Sequence, residues 1–480
     1  MSAQRPAATE ILVPLRGGRQ DGGATPRSAA GPAGVALASS QPSANSGPAR
    51  ERMARSFASW FTQNKRAPFL AAGSPRRRNP DLNHACITAV LVPAFLVSVF
   101  VLIPSSPTAR AEEAARTSHQ TSGVNALMPV FRDRAASRLT FPLAWQAGRY
   151  TSPDAWRAAG RAKVMECLLK PPPSAAFDPA IVAEEDRGTY TARKIAFNVT
   201  ADSRVLAYLL VPKGKGPFPA VLLFHDHGAR FDIGKEKMIR PWEERAEKMR
   251  SAQEWVERSY GGRFVGDALA ARGYVCFATD ALNWSDRGGA GYEGQQALAS
   301  NLLHLGMSWA GLIAHEDLRA AEFLSAQPEV DSRRVAALGL SMGAYRTWQA
   351  AALSDRIAAG VAVCWMARGA DLMTAGNNQT SGQSAFSMTH PGLPAYLDYP
   401  DVASLAAPKP LLFYNGLKDG LFPVESVRAA YARMREVWES RAAGSKLETR
   451  LWDVPHVFDQ AMQDEAFRWL DQQLKPQHPD

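Results

Sequence analysis

Three residues of this chain have the types that nucleophilic catalysis needs: Ser341, Asp419 and His456. An alcohol is a poor nucleophile at neutral pH and needs a base within hydrogen-bond reach. Histidine suits that task because its free pKa lies near neutrality. The histidine in turn needs an acid to orient its ring and to stabilise the imidazolium. Together they would let a serine hydroxyl attack a carbonyl carbon.

Ser341 stands in Gly339-Leu340-Ser341-Met342-Gly343. The apolar run Arg334–Leu338 before it reads as a buried strand, and Ala344–Leu353 after it as a helix. Strand, G-x-S-x-G, helix is the context of a nucleophile elbow. An idle serine in a Gly-bounded turn is the plain alternative. The fit of both flanks and the two partners downstream argue against it. His456 lies in Asp453-Val454-Pro455-His456-Val457-Phe458, between a strand and a helix. Asp419 lies in Gly416-Leu417-Lys418-Asp419-Gly420, directly after another strand. Asp-Gly is ordinarily a turn signal. Asp453 and Asp459 are closer to His456 in sequence, but their places predict turn and cap roles.

A negative charge developing on a carbonyl oxygen calls for two backbone N–H donors. Met342, which follows the serine, is the first. The second is expected in His225-Asp226-His227-Gly228, after the strand Pro219–Phe224, with His227 preferred and Gly228 the near alternative. The paired histidines also invite a metal. No H-E-x-x-H motif or third spaced ligand accompanies them, so a metal is not expected.

These residues need a frame. Tyr190–Thr200 and Arg204–Val211 alternate like antiparallel strands joined at Ala201-Asp202-Ser203. Pro219–Phe224, Tyr274–Thr279, Arg334–Leu338, Ala359–Trp365, Lys409–Asn415 and Lys446–Asp453 read as further strands. Helices are expected near Gly266–Arg272 and over Trp309–Ser325, Val424–Glu439 and Asp459–Leu474. Asp331-Ser332-Arg333-Arg334 is expected as a turn. Strands alternating with helices predict an α/β fold, with a mostly parallel central sheet and helices on both faces. Active sites of such sheets lie at the C-terminal ends of the strands.

The net charge of +9 suggests a nucleic-acid partner until its distribution is seen. Residues 1–111 hold 13 Lys/Arg against 4 Asp/Glu, so the whole excess belongs to the leader. The remainder is balanced, and no nucleic-acid face is expected. Residues 1–85 read as a disordered basic leader. The 18-residue apolar run Cys86–Ile103, preceded by Arg76-Arg77-Arg78 and followed by Ala109-Arg110-Ala111, reads as a secretory signal through residue 111. Two readings stay open, a cleaved signal or a retained membrane anchor, and both export the rest to the periplasm or beyond. Residues 112–185 read as a helical extension and 186–480 as the catalytic domain, with insertions at about 231–262 and 367–406. The cysteines are Cys86, Cys167, Cys276 and Cys364, without a C-x-x-C pair. Cys276 and Cys364 read as core residues, and one disulfide stays open.

Residues Tyr190–Lys475 resemble the α/β-hydrolase superfamily, in its dienelactone hydrolase and acetyl xylan esterase-like branch. The features that carry the resemblance are Leu223-Phe224-His225-Asp226-His227-Gly228, Asp331–Val335, Gly339–Gly343, the Lys418-Asp419 loop and His456. The resemblance implies an α/β-hydrolase fold and cofactor-free hydrolysis of a small or carbohydrate-linked ester. The apolar run Cys86–Ile103, on the anchor reading, is the one expected contact with a membrane. The chain departs from dienelactone hydrolase in having serine, not cysteine, as nucleophile. A peptidase of the prolyl-oligopeptidase kind shares the architecture, but the N-terminal part is too short for a propeller. A binding protein on a hydrolase scaffold is the non-enzyme reading, which loss of a triad member would favour.

Overall fold

A computed structural model of the chain describes residues 127–374 and 377–475. The leader, the apolar run Cys86–Ile103, the Ala109-Arg110-Ala111 motif and Cys86 lie outside these residues. Among the described residues no helix is long and apolar enough to cross a membrane.

Among the described residues nine strands form the central sheet: β1 (Ala180–Asp186), β2 (Tyr190–Thr200), β3 (Ser203–Pro212), β4 (Phe218–Phe224), β5 (Val275–Thr279), β6 (Val330–Leu340), β7 (Ala359–Val363), β10 (Leu411–Gly416) and β11 (Leu447–Trp452). Two-residue strands β8 (Met373–Thr374) and β9 (Asn377–Asn378) make a separate hairpin. The order across the sheet is β1-β2-β3-β5-β4-β6-β7-β10-β11. Pairs β1–β2, β2–β3 and β3–β5 are antiparallel, and every pair from β5 to β11 is parallel.

A parallel strand is apolar throughout because helices cover both of its faces. In β4, Ala220, Leu222 and Phe224 join one core cluster, and Val221 and Leu223 the other. The first cluster takes in α2 (Pro153–Cys167), α6 (Trp309–Ser325), α7 (Met342–Leu353), α8 (Tyr399–Ser404) and α9 (Val424–Ser440). The second takes in α3 (Ala246–Tyr260), α4 (Val265–Ala271) and α10 (Gln460–Leu474). The α/β-hydrolase fold expected from the sequence is thus present, a mostly parallel sheet between two helical layers.

Several local expectations need correction. The segment before the sheet holds α1 (Leu127–Ala136) and α2, but β1 already pairs with β2 from Ala180, so the sheet starts before residue 186. The turn expected at Asp331–Arg334 is a slip inside β6. Phe218 faces Val330, whereas Ala220 faces Val335. The Asp331 carboxylate gathers the slack by accepting the Arg333 N–H at 3.1 Å and Arg334 Nε at 2.8 Å. Helix α5 (Gly291–His304) gave no sequence signal, because only Gln295 and Ala299 of it are buried. Cys167, Cys276 and Cys364 are free and buried, so none pairs with another.

The insertion at 231–262 is fastened by charge. The Lys235 ammonium is wholly buried between Asp280 Oδ2 (2.8 Å), Glu236 Oε1 (2.9 Å) and Asp286 Oδ2 (2.5 Å). A buried cation must be paired in this way, because losing its hydration alone would cost several kcal/mol. Those three acids are close enough together to hold a metal ion, but the ammonium stands in that place.

Candidate active site

Ser341 occupies the hinge between β6 and α7, with φ 57° and ψ −124°. A serine rarely takes positive φ, and such strain persists only where its surroundings enforce it. Two glycines do so here. A Cβ on Gly339 would meet the Gly343 backbone, and one on Gly343 would meet the Phe224 carbonyl. The Ser341 N–H donates to the Val363 carbonyl at 2.8 Å, tying the hinge to the end of β7. Met342 opens α7, so its N–H belongs to the first turn and has no carbonyl four residues back within the helix.

The loops after β10 and β11 are zipped together. Leu417 N–H donates to Trp452 O at 2.7 Å, and Lys418 N–H to Val454 O at 3.1 Å. Gly416 permits the approach, since a Cβ there would strike the carbonyls of Val454 and Pro455. His456 Nδ1 consequently lies 2.7 Å from Asp419 Oδ2. Asp419 Oδ1 accepts the Leu421 N–H at 3.0 Å, and the carboxylate is fully buried. The nearer aspartates point elsewhere. Asp453 is exposed and pairs with Lys418 at 2.9 Å. Asp459 caps α10 by accepting the Met462 N–H at 3.0 Å.

Cys364 packs beside this pair, and its Sγ lies 3.7 Å from Val457 O. The donor atoms of Cys364, Asp419 and His456 fall within 4.8 Å of one another. They suit a metal poorly. Asp419 and His456 already bond to each other, and burial, aided by the Asp419 charge, pushes the thiol pKa up and keeps it protonated.

The histidines after β4 are frame, not ligands. His225 Nε2 accepts the Ala281 N–H at 3.0 Å, and its Nδ1 lies 2.9 Å from Asp226 O. His227 Nδ1 accepts the Ala229 N–H at 3.1 Å, and its Nε2 meets the Gln295 side-chain amide at 2.6 Å. Burial holds His225 well below its usual pKa and takes His227 down to about 4, so both rings are neutral at pH 7. Lys237 stands beneath this loop, fully buried, and donates to Asp226 O at 2.9 Å and His227 O at 3.0 Å. A trans peptide directs its N–H opposite its C=O. The carbonyls drawn to Lys237 therefore turn the N–H groups of His227 and Gly228 away from it.

These pieces meet at one cavity of about 470 Å³, whose wall includes Ser341, His456, His227 and Gly228. Asp419 stands behind His456. Both insertions reach the cavity, the first through Trp255 and Arg258, the second through Met388 and Tyr399. Trp365, Phe422 and Tyr292 complete it and carried no sequence signal of their own. Lys237 was equally invisible. It sits inside a run of charged residues that reads as a solvated surface.

The family model described as "Abhydrolase family" matches residues 144–442, well over half of the chain. The chain belongs to the Abhydrolase family. The matched part of this Abhydrolase takes in Ser341 and Asp419 and stops short of His456. The protein is 26% identical over 291 residues to YtaP of Bacillus subtilis (strain 168), named as a hydrolase, covering 60% of this chain and 90% of that one. Among solved structures it is similar to a Bacteroides fragilis NCTC 9343 protein named as an acetyl xylan esterase. The TM-score is 0.52 and the identity 16%, over 69% of this chain and 82% of that one. It is also similar to a glucuronoyl esterase from Solibacter usitatus, with a TM-score of 0.51 and 14% identity, over 70% of this chain and 97% of that one. At such identities the likeness is one of fold.

Proposed function

We propose that this Abhydrolase hydrolyses carboxylic esters through an acyl-enzyme on Ser341. The 2.7 Å contact between His456 Nδ1 and Asp419 carries the reading. It leaves Nε2 as the free ring nitrogen, on a histidine that shares a cavity wall with Ser341. Nε2 takes the hydroxyl proton as Oγ attacks the ester carbonyl. The Met342 N–H and that of His227, with Gly228 beside it, meet the oxyanion. The tetrahedral species collapses, and the alcohol leaves with the proton from Nε2. Water then repeats the sequence on the acyl group and frees the acid and the serine.

The aromatic wall of Trp255, Trp365, Tyr292 and Tyr399 suits the apolar face of a sugar. Carbohydrate-linked esters are therefore the substrate class we place first, and the names of the two esterases similar in fold agree with it. Matched esters and amides, offered to the full chain together with a fluorophosphonate probe, test the reaction. Esters should turn over far faster, and the probe should modify Ser341. Faster cleavage of prolyl amides would replace the esterase reading with a peptidase one.

Lys237 acts as a positioning residue for the oxyanion donors. Removing it alone would leave Asp226 buried without its cation, so the informative variant is Lys237→Met with Asp226→Asn. One lost oxyanion donor costs about 10²–10³ in kcat. The double variant should lose on the order of 10² in kcat with KM within a few-fold and a cooperative melt. A folded double variant with native kcat would remove Lys237 from this role.

A further inference from the structure

The cavity beside Ser341 carries a positive charge that ester hydrolysis does not use. The ionisable side chains on its wall are Asp226, His227, Arg258, Tyr292, Tyr399 and His456. Asp226 is spent. Its Oδ2 accepts Tyr260 Oη at 2.7 Å and Trp255 Nε1 at 3.1 Å, and its Oδ1 faces the Lys237 ammonium at 3.6 Å. His227 is neutral, burial pushes the Tyr399 hydroxyl up, and His456 is held by Asp419. Among the described residues this leaves Arg258 as the uncompensated charge of the cavity.

Arg258 lies on α3, in the insertion at 231–262. Trp255, Arg258 and Ser259 all line the cavity, and their spacing of three and four residues puts them on one helix face. The guanidinium is exposed and rests 5.5 Å from the Trp255 ring centroid. Glu254, one turn earlier, would be its ordinary partner. That carboxylate is taken by Arg230 at 2.7 Å. Among the described residues no carboxylate stands within ion-pair distance of Arg258. A cation in the last turn of a helix complements the helix dipole. That explains a basic residue there but not its facing a cavity without a partner.

We infer that Arg258 anchors a carboxylate carried by the substrate, so that the cavity selects esters whose acyl or alcohol part is also an acid. This rests on the ester-hydrolase reading above. The planar guanidinium fork matches a carboxylate bidentately, and the cation–π contact with Trp255 limits the side-chain freedom lost on binding. The contact lies away from the reacting carbonyl, so it acts in the ground and transition states alike and its effect falls on KM.

Two matched pairs of esters test it. On the acyl side these are para-nitrophenyl hydrogen succinate and para-nitrophenyl methyl succinate. On the alcohol side they are the acetyl esters of para-hydroxybenzoate and of its methyl ester, with acetylated para-hydroxybenzenesulfonate as a tetrahedral anion for comparison. In one pair the anionic member should have the higher kcat/KM through a lower KM, and added salt should weaken the advantage. The ratio of anionic to neutral kcat/KM should fall about tenfold in Arg258→Ala and invert in Arg258→Glu, with Arg258→Lys between. A preference for the sulfonate over the carboxylate would overturn the choice of carboxylate. An unchanged ratio in Arg258→Glu, or native preference for the neutral member of both pairs, would overturn the anchor itself. Calorimetric binding to Ser341→Ala keeps this apart from the chemistry. If the native protein cleaves no ester, the hydrolase reading fails. The anchor still stands or falls on whether Ser341→Ala binds an anionic member more tightly than its neutral mate.

Discussion

Ser341→Ala should lower ester turnover by about 10⁶, and adding His456→Ala should lower it little further. In the proposed mechanism the two side chains serve one event. His456 matters because it accepts the proton that Ser341 releases, so without the hydroxyl the base has nothing to do. Independent contributions would multiply to a far larger loss in the double variant. What remains in each case is the rate from binding and the oxyanion donors, about 10³–10⁴ over water. Ser341→Ala should keep the native melting point or exceed it, whereas the double variant leaves the buried Asp419 carboxylate without its ring N–H and should melt lower, still cooperatively. The hinge geometry at residue 341 comes from Gly339 and Gly343 and not from the hydroxyl. Circular dichroism and a thermal melt check this before any rate is compared. Native turnover in Ser341→Ala would end the proposed mechanism, and multiplicative losses would mean that His456 works apart from Ser341.

Asp419→Asn should cost about 10⁴ in kcat, by turning the imidazole into the wrong tautomer. Asp419 Oδ1 already accepts the Leu421 N–H. In the asparagine variant the amide oxygen keeps that bond, which directs the NH₂ group at His456 Nδ1. Nδ1 must then accept, so the ring proton moves to Nε2, where the serine proton has to go. Packing hardly changes, since the two side chains have the same shape. Serine labelling should persist but slow greatly. Asp453→Asn is the control. Its carboxylate is exposed and bonded to Lys418, so turnover should stay near native. A reversed result, with Asp453→Asn inactive and Asp419→Asn near native, would move the acid to residue 453.

Much of the frame could be read without coordinates. The strands that carry the site are short apolar runs buried on both faces, and such runs announce themselves in composition. Helix α6 has a Ser308 N-cap and a continuous apolar stripe, and its bounds match the sequence expectation. Helix α5 lacks both and was missed. Asp331-Ser332-Arg333-Arg334 predicts a turn because it is local turn chemistry. The register on β4 converts it into an irregularity within a strand.

The same division runs through the site. The Gly339–Gly343 hinge is determined by the sequence itself. Its requirement is steric and local, for no side chain fits where β6 and α7 touch. The order of Ser341, Asp419 and His456 is equally a sequence property. Which aspartate faces His456 is not. Asp453 is three residues away in the chain and Asp419 thirty-seven, and the choice was made by the zipped loops at Gly416. The roles of His225 and His227 were also decided by tertiary contacts. Burial makes both rings neutral and Lys237 draws the loop carbonyls inward, so the paired histidines that invite a metal are bound into the frame of the loop. In the sequence Arg258 is one of many charges in the insertion at 231–262. Its significance depends on Glu254 having turned to Arg230 and on α3 lying along the cavity. Chain spacing carries steric rules well, because they act between neighbours. Charge pairing and desolvation act between residues that only folding brings together.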